Sequence, residues 1–111
     1  MILTDKVLSE VLGLRAVVRY IRNNELYYSF DCIGERRESS INIFEFGDKC
    51  KEWLKNNTYW DLMIVGYEVY LMEDIFGEGG ARTHKRFTKQ REWYSNIFAA
   101  CEYIMESKEN K

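Results

Sequence analysis

The chain has 111 residues, a formal net charge of −2, no proline, 46% hydrophobic residues and 15% aromatic residues. This length fits one domain, and the hydrophobic content is too high for an intrinsically disordered chain. No apolar run reaches the ~18 residues that a membrane span needs, and residues 1–5 lack the regions of a signal peptide. We therefore expect a single globular domain over 1–111 that is cytoplasmic and not bound to a membrane.

The first forty residues predict a helix followed by a β-hairpin. Thr4 is a suitable N-cap for a helix over 5–12, and the glycine directly after that helix is a typical stop. Residues 15–22 are β-branched and aromatic with arginines spaced through them, and after two asparagines the segment 26–32 alternates between apolar and polar residues. This alternation is typical of a strand with one face in the core. Residues 34–40 then predict a polar connection.

The middle of the chain predicts a second helix and then two strands. Apolar residues recur at helical spacing over 42–56, although Gly47 lowers the helical propensity by about 1 kcal/mol relative to alanine. Residues 60–72 form a long apolar and aromatic stretch whose length suits two strands better than one. Gly66-Tyr67 would then be a two-residue type II′ turn. The alternative is one bent strand with a bulge at Gly66.

The last third of the chain predicts a loop, a strand and a long helix. Residues 73–80 combine acidic residues with glycines and predict a flexible loop. Residues 81–87 predict a further strand, and Thr88 caps a final helix that runs to about 107. Together the elements predict an α+β fold, with one antiparallel sheet of four or five strands and the helices on one face of it.

The two long predicted helices have similar apolar patterns. At an offset of 51 residues, five apolar positions of 42–56 coincide with apolar positions of the final helix, and Cys50 coincides with Cys101. A pair of strands is predicted before each helix, which suggests two ββα units behind the short first helix. The alternative is that any two amphipathic helices can be aligned in this way.

The sequence offers few residues for catalysis. The three cysteines are an odd number without a CxxC pair, which predicts buried free thiols in a reducing compartment and leaves Cys32 as a candidate for reactivity. His84 is the only histidine, and its basic neighbours supply no orienting carboxylate. The adjacent acids Glu73 and Asp74 are typical of a solvated loop, and a small enzyme that uses Glu73, Asp74 or His84 is the third hypothesis. We therefore expect no enzyme, no catalytic residue, no metal and no cofactor.

A basic segment at 82–91 holds five cations and no acidic residue, in a chain that is otherwise acidic. In a strand, Arg82, His84 and Arg86 share one face. Three interpretations stay open: an edge strand that charge protects from pairing, a surface for an acidic protein or a second copy, and a nucleic-acid site. The nucleic-acid site would use Arg82, His84, Lys85, Arg86, Lys89 and Arg91.

Aromatic residues are more numerous than one small core requires. Several of them are adjacent in the sequence, and in a strand one member of each pair faces away from the core. Tyr27 and Tyr70 are candidates for such an exposed face. Because tyrosine is enriched in protein interfaces, an aromatic outer face indicates a homodimer or a surface for another protein.

Three segments of the chain, 3–13, 41–54 and 97–105, resemble small orphan proteins carried by bacterial phages and prophages. The residues that carry the resemblance form core patterns rather than a site, so it implies an origin in a mobile element and no defined activity. Small acidic α+β proteins of that origin often resemble inhibitors of host defence, such as anti-CRISPR proteins. No functional residue can be carried over from this resemblance.

We therefore predict a non-enzymatic accessory protein that binds a host protein or a second copy of itself, with inhibition of host defence as one role. The expected contacts are Tyr27, Tyr70, Arg82, His84 and Arg86. The alternative is binding of nucleic acid or of nucleotide phosphate through the basic segment. One exposed surface that contains these tyrosines and cations would support the first hypothesis, and scattered cations would argue against it.

Overall fold

The computed structural model of the protein describes residues 3–75 and 80–109. The chain is an α+β protein, as the sequence predicted, and no helix in the described ranges is long and apolar enough to cross a membrane. The helices and strands in chain order are α1 (Asp5–Leu12), β1 (Ala16–Arg22), β2 (Glu25–Cys32), β3 (Glu35–Asn42), α2 (Ile43–Asn57), β4 (Asp61–Val65), β5 (Glu68–Ile75), β6 (Gly80–Phe87) and α3 (Trp93–Glu109).

The strands form two three-stranded antiparallel sheets, sheet A in the order β1-β2-β3 and sheet B in the order β4-β5-β6. The expectation of one sheet with four or five strands is therefore wrong. Part of the difference is β3, which covers residues that the sequence predicted as a polar connection. Every β3 residue except Ile41 is exposed, so this edge strand lacks the apolar alternation by which a strand is recognised.

The order of three strands followed by a helix occurs twice after α1. In both sheets the first two strands are joined by a two-residue turn, Asn23-Asn24 in sheet A and Gly66-Tyr67 in sheet B. Gly66 has a φ of 62°, as the first central position of a type II′ turn requires, and 60–72 contains two strands. The sequence suggested two ββα units, whereas each repeated unit has a third strand.

Helix α1 begins and ends at the residues that the sequence predicted, whereas α3 begins later than predicted. Thr4 Oγ1 accepts a hydrogen bond from the N–H of Val7 at 3.2 Å, and Gly13 ends α1 with a left-handed φ of 69°. Helix α3 begins at Trp93, so the prediction that Thr88 caps it is wrong. A connection of five residues separates β6 from α3 instead.

Part of the segment 73–80, which the sequence predicted as a loop, is strand, because β5 continues to Ile75 and β6 begins at Gly80. The rest of that prediction concerns 76–79 and lies outside the described residues. The strand predicted at 81–87 is confirmed as β6.

One hydrophobic core joins the helices to both sheets. Helices α2 and α3 contact each other through Phe46 and Phe98, whose ring centroids are 5.4 Å apart. A Cβ atom at Gly47 would lie 2.7 Å from Cη2 of Trp93, which is closer than such contacts allow. The glycine that weakens α2 as a helix is therefore the residue that lets α3 approach it.

The three cysteines are free thiols, as the sequence predicted. Cys50 and Cys101 are buried in the core, and Cys32 is half-buried. The thiol of Cys101 lies 3.7 Å from the carbonyl oxygen of Cys50, so the two residues that coincide in the helix alignment are also neighbours in space. Burial raises the pKa of the Cys50 thiol, and the nearby Cys101 adds to this effect.

Candidate protein-binding surface

The outer face of sheet B presents apolar side chains to solvent. Val69 and Leu71 of β5 are fully buried, so Tyr70 between them points to the opposite face. Met63 of β4 and Arg86 of β6 lie directly opposite Tyr70 in the two ladders. We define the sheet B face as Met63, Val65, Tyr67, Tyr70 and Arg86.

Three apolar residues of the sheet B face are exposed: Met63 to 41%, Val65 to 54% and Tyr67 to 47%. Single exposed apolar residues are common on proteins, but three on one hairpin form a patch of the kind that marks interaction sites. None of the three was among the contact residues predicted from the sequence. The signal was present, because Leu62 and Ile64 point inward and the residues that alternate with them must then point outward.

Tyr70 makes a polar contact at the border of this patch. Its hydroxyl donates a hydrogen bond to the carboxylate of Glu68. That bond, followed by desolvation, raises the pKa of Tyr70 above its ordinary value, while the nearby Arg86 acts in the opposite direction. Tyr70 thus combines an apolar ring with a polar group that already has a partner, as residues of protein interfaces do.

Tyr27 lies on the outer face of the other sheet. Its ring stacks on that of Tyr20 with centroids 4.6 Å apart, and Tyr20 is 55% exposed. The pair Tyr20–Tyr27 holds the same place relative to the turn as Met63–Tyr70 does in sheet B. The two predicted tyrosines therefore occupy matching positions, but they belong to different sheets.

The expectation that Arg82, His84 and Arg86 share one face is wrong. The ladder between β5 and β6 shifts by one residue, since Thr83 pairs with Met72 while Lys85 pairs with Leu71. His84 is the extra residue of this bulge, and a bulge reverses the alternation of the side chains that follow it. Arg86 consequently lies on the sheet B face.

His84 and Arg82 make contacts within the chain. The His84 ring stacks on Trp60 with centroids 3.7 Å apart, and its Nε2 hydrogen-bonds the Tyr103 hydroxyl at 3.0 Å. Arg82 forms an ion pair with Glu73, at 2.8 Å between Nη2 and Oε2. Of the five predicted contact residues, only Tyr70 and Arg86 are therefore brought together on one face.

The other cations of the basic segment lie near acidic residues. Lys85, Arg86 and Lys89 line an open groove of about 390 Å³ together with Glu102 and Glu106 of α3. Arg91 is exposed in the connection that precedes α3. The six residues proposed for nucleic-acid binding thus differ in their surroundings: Arg82 is paired with Glu73, His84 stacks on Trp60, and three others share the groove with the two glutamates.

Of the two adjacent acids considered for catalysis, the structure describes the side chain of Glu73. Glu73 is the partner of Arg82, and the side chain of Asp74 lies outside the described residues. Within 3–75 and 80–109, no group of three His, Cys, Asp or Glu side chains is placed to hold a metal ion.

No protein-family model, no curated protein and no solved structure matches this chain. Its function is therefore inferred from the geometry of the sheet B face and of the basic segment. The resemblance to phage-borne proteins stays an expectation from the sequence.

Proposed function

We propose that this chain is a non-enzymatic binding protein whose sheet B face docks on a protein partner. The observation that carries the proposal is the exposed patch of Met63, Val65 and Tyr67 beside Tyr70 and Arg86. Tyrosine, methionine and arginine are enriched in interfaces, and arginine and tyrosine are frequent among the residues that dominate binding energy.

A protein partner is better supported than a nucleic acid. Phosphate backbones require several cations in one basic stripe. In this chain Arg82 is paired with Glu73, His84 is stacked on Trp60, and Lys85 shares a groove with two glutamates. An apolar patch with one adjacent cation instead suits a protein surface that is apolar and carries an acidic residue.

The partner that we propose is a host protein. The choice rests on the resemblance to phage and prophage proteins, because for a chain of mobile-element origin a protein of the bacterial host is the expected partner. If the captured protein belongs to a defence system, its inhibition is the corresponding role of this chain.

Photo-crosslinking can test the docking surface directly. A benzophenone amino acid placed at Tyr67, in the turn of sheet B, should yield a discrete adduct in a bacterial lysate, and excess unlabelled protein should compete it away. The matched control is Ile33, which is 97% exposed in a turn of sheet A. An adduct from both positions, or from the control alone, would contradict the proposed surface.

The captured protein then allows a quantitative measurement by titration calorimetry. Arg86→Glu should weaken binding at least about tenfold, which corresponds to about 1.4 kcal/mol. Arg37→Glu is the control, because Arg37 is likewise an exposed arginine on the third strand of its sheet. Equal affinities of the two variants would refute the assignment. A salt-sensitive shift of DNA or RNA by the purified chain would favour the nucleic-acid alternative.

A further inference from the structure

The two sheets have four edge strands, and an edge strand can pair with another chain unless something prevents it. The exposed residues of β3 include four charged side chains in a row, at 35–38. β6 carries Arg82, Lys85 and Arg86 of the basic segment and the bulge at His84. Charge and bulges are two devices that keep edge strands unpaired.

The edge of β1 is occupied by side chains of α1. Ser9 Oγ accepts a hydrogen bond from the N–H of Ala16 and donates one to the C=O of the same residue, each at 2.9 Å. Asp5 Oδ1 accepts a hydrogen bond from the N–H of Val18 at 2.8 Å. The N–H and C=O groups of Ala16 and the N–H of Val18, at the start of the β1 edge, are thus already used.

The edge of β4 has none of these protections. Val65 and Glu68 close the two-residue turn and form a hydrogen-bonded pair, so the N–H and C=O groups of Leu62 and Ile64 point away from β5. In the described part of the chain, no group outside sheet B hydrogen-bonds to these two residues. The single charge of the strand is Asp61 at its start.

A cleft of about 740 Å³, open to solvent, runs along this edge between β4 and α2. Leu62 and Ile64 line it from the strand, and exposed charged residues line it from the helix. Among these, Glu52 and Lys55 lie almost one turn apart and have opposite charges. When two copies of α2 lie side by side and run antiparallel, Glu52 of one copy can face Lys55 of the other.

We propose that a second copy of this chain occupies the β4 edge, with β4 paired to β4 antiparallel about a twofold axis at Met63. In this register Leu62 faces Ile64 of the other copy, so the four free N–H and C=O groups on each side find partners. The result is a continuous six-stranded sheet with a sheet B face from each copy. The inference goes beyond the proposed function and concerns the purified chain alone.

Sedimentation equilibrium of the purified protein across the micromolar range tests this proposal. The wild-type chain should approach twice the monomer mass of 13.3 kDa. Met63→Lys places like charges opposite each other on the axis and should raise the dimer dissociation constant at least about tenfold. Met63→Glu should do the same, and an equimolar mixture of the two variants should recover the dimer.

Val65→Lys is the matched control, because it adds the same charge on the same face of the same strand. In the proposed register Val65 lies opposite Asp61 of the other copy, so this variant should keep or strengthen the dimer. Circular dichroism spectra equal to the wild type show that each variant is folded. A wild-type monomer, a dimer that Met63→Lys leaves unchanged, or equal weakening by both lysine variants would overturn the proposal. If the wild type is a monomer, the unpaired β4 edge is available for pairing with an extended segment of another protein.

Discussion

At the scale of single residues, the environment decides the chemistry of side chains that are alike in sequence. Each of the three cysteines is part of an apolar pattern, yet Cys50 and Cys101 are fully buried and Cys32 is half-buried. Burial raises the pKa of Cys50, and the thiolate is the form that reacts. Cys32 is therefore the thiol that we expect to be reactive in the folded protein.

Labelling with a thiol-specific disulfide reagent should modify one cysteine rapidly in the native protein and all three after unfolding. Cys32→Ser should abolish the rapid phase and leave the slow phase of the two core thiols unchanged. Mass spectrometry of the labelled peptides identifies the modified residue. Rapid native labelling of Cys50 or Cys101 would show that the core between α2 and α3 opens on the same timescale.

The contacts of His84 could not be predicted from its sequence neighbours alone. The sequence predicted His84 as a contact residue for a protein partner or a nucleic acid, and its side chain is indeed exposed. In the structure its ring stacks on Trp60 and its Nε2 bonds Tyr103, residues that are distant in sequence. The bulge in β6 turns His84 toward them, and a bulge has no signature in this segment that could have been recognised.

At the scale of elements, α1 acts as a cover for the edge of sheet A. The sequence predicted its bounds, because the cap, the apolar spacing and the final glycine are local signals. The contacts of Asp5 and Ser9 with β1 were not predictable, since they depend on how the helix lies against the strand. Ser9 is the better probe, because it partners both backbone groups of one buried residue.

Ser9→Ala should lower the free energy of unfolding by about 1–3 kcal/mol, since it leaves the buried N–H and C=O of Ala16 without partners. Ser40→Ala is the control, because Ser40 is an exposed serine on β3, and it should change stability by less than about 0.5 kcal/mol. Chemical denaturation followed by circular dichroism measures both. Equal effects of the two substitutions would show that α1 does not depend on this contact.

The start of α3 and the strand β3 show where local signals fail. Thr88 is a good capping residue, but the side chain of Asn96 instead bonds both backbone groups of Gln90 and the carbonyl of Tyr67. These bonds hold 88–92 in a connection, so the helix begins only at Trp93. β3 is exposed almost throughout, so its sequence has no apolar alternation that predicts a strand. It is a strand because it pairs with β2 along its whole length.

At the scale of the whole molecule, the division into two sheets gives an elongated shape. The Cα atoms extend over 54 × 32 × 19 Å, with a radius of gyration of 15.2 Å. A compact domain of this length would have a radius of gyration of about 13 Å. The elongation places the outer faces of two sheets on one chain, each with its own tyrosine near the turn.

Small-angle X-ray scattering can test this shape. The Met63→Lys variant is the suitable sample, because we expect it to be monomeric. Its radius of gyration should lie near 15.2 Å, and its distance distribution should extend beyond 50 Å, in line with the longest dimension of 54 Å. A value near the ~13 Å of a compact domain would contradict the separation into two sheets.

The sequence by itself determined the α+β class, the bounds of α1, those of the first hairpin to within about one residue, and the burial of two cysteines, and it favoured a turn over a bulge at Gly66. These features depend on residues close together in the chain, where spacing and capping act directly. The tertiary structure alone decided that the strands form two sheets, that a bulge separates the cations of 82–91, and that Gly47 is needed for contact with Trp93. Strand pairing and helix packing join distant segments, so their outcome depends on the whole core rather than on local pattern.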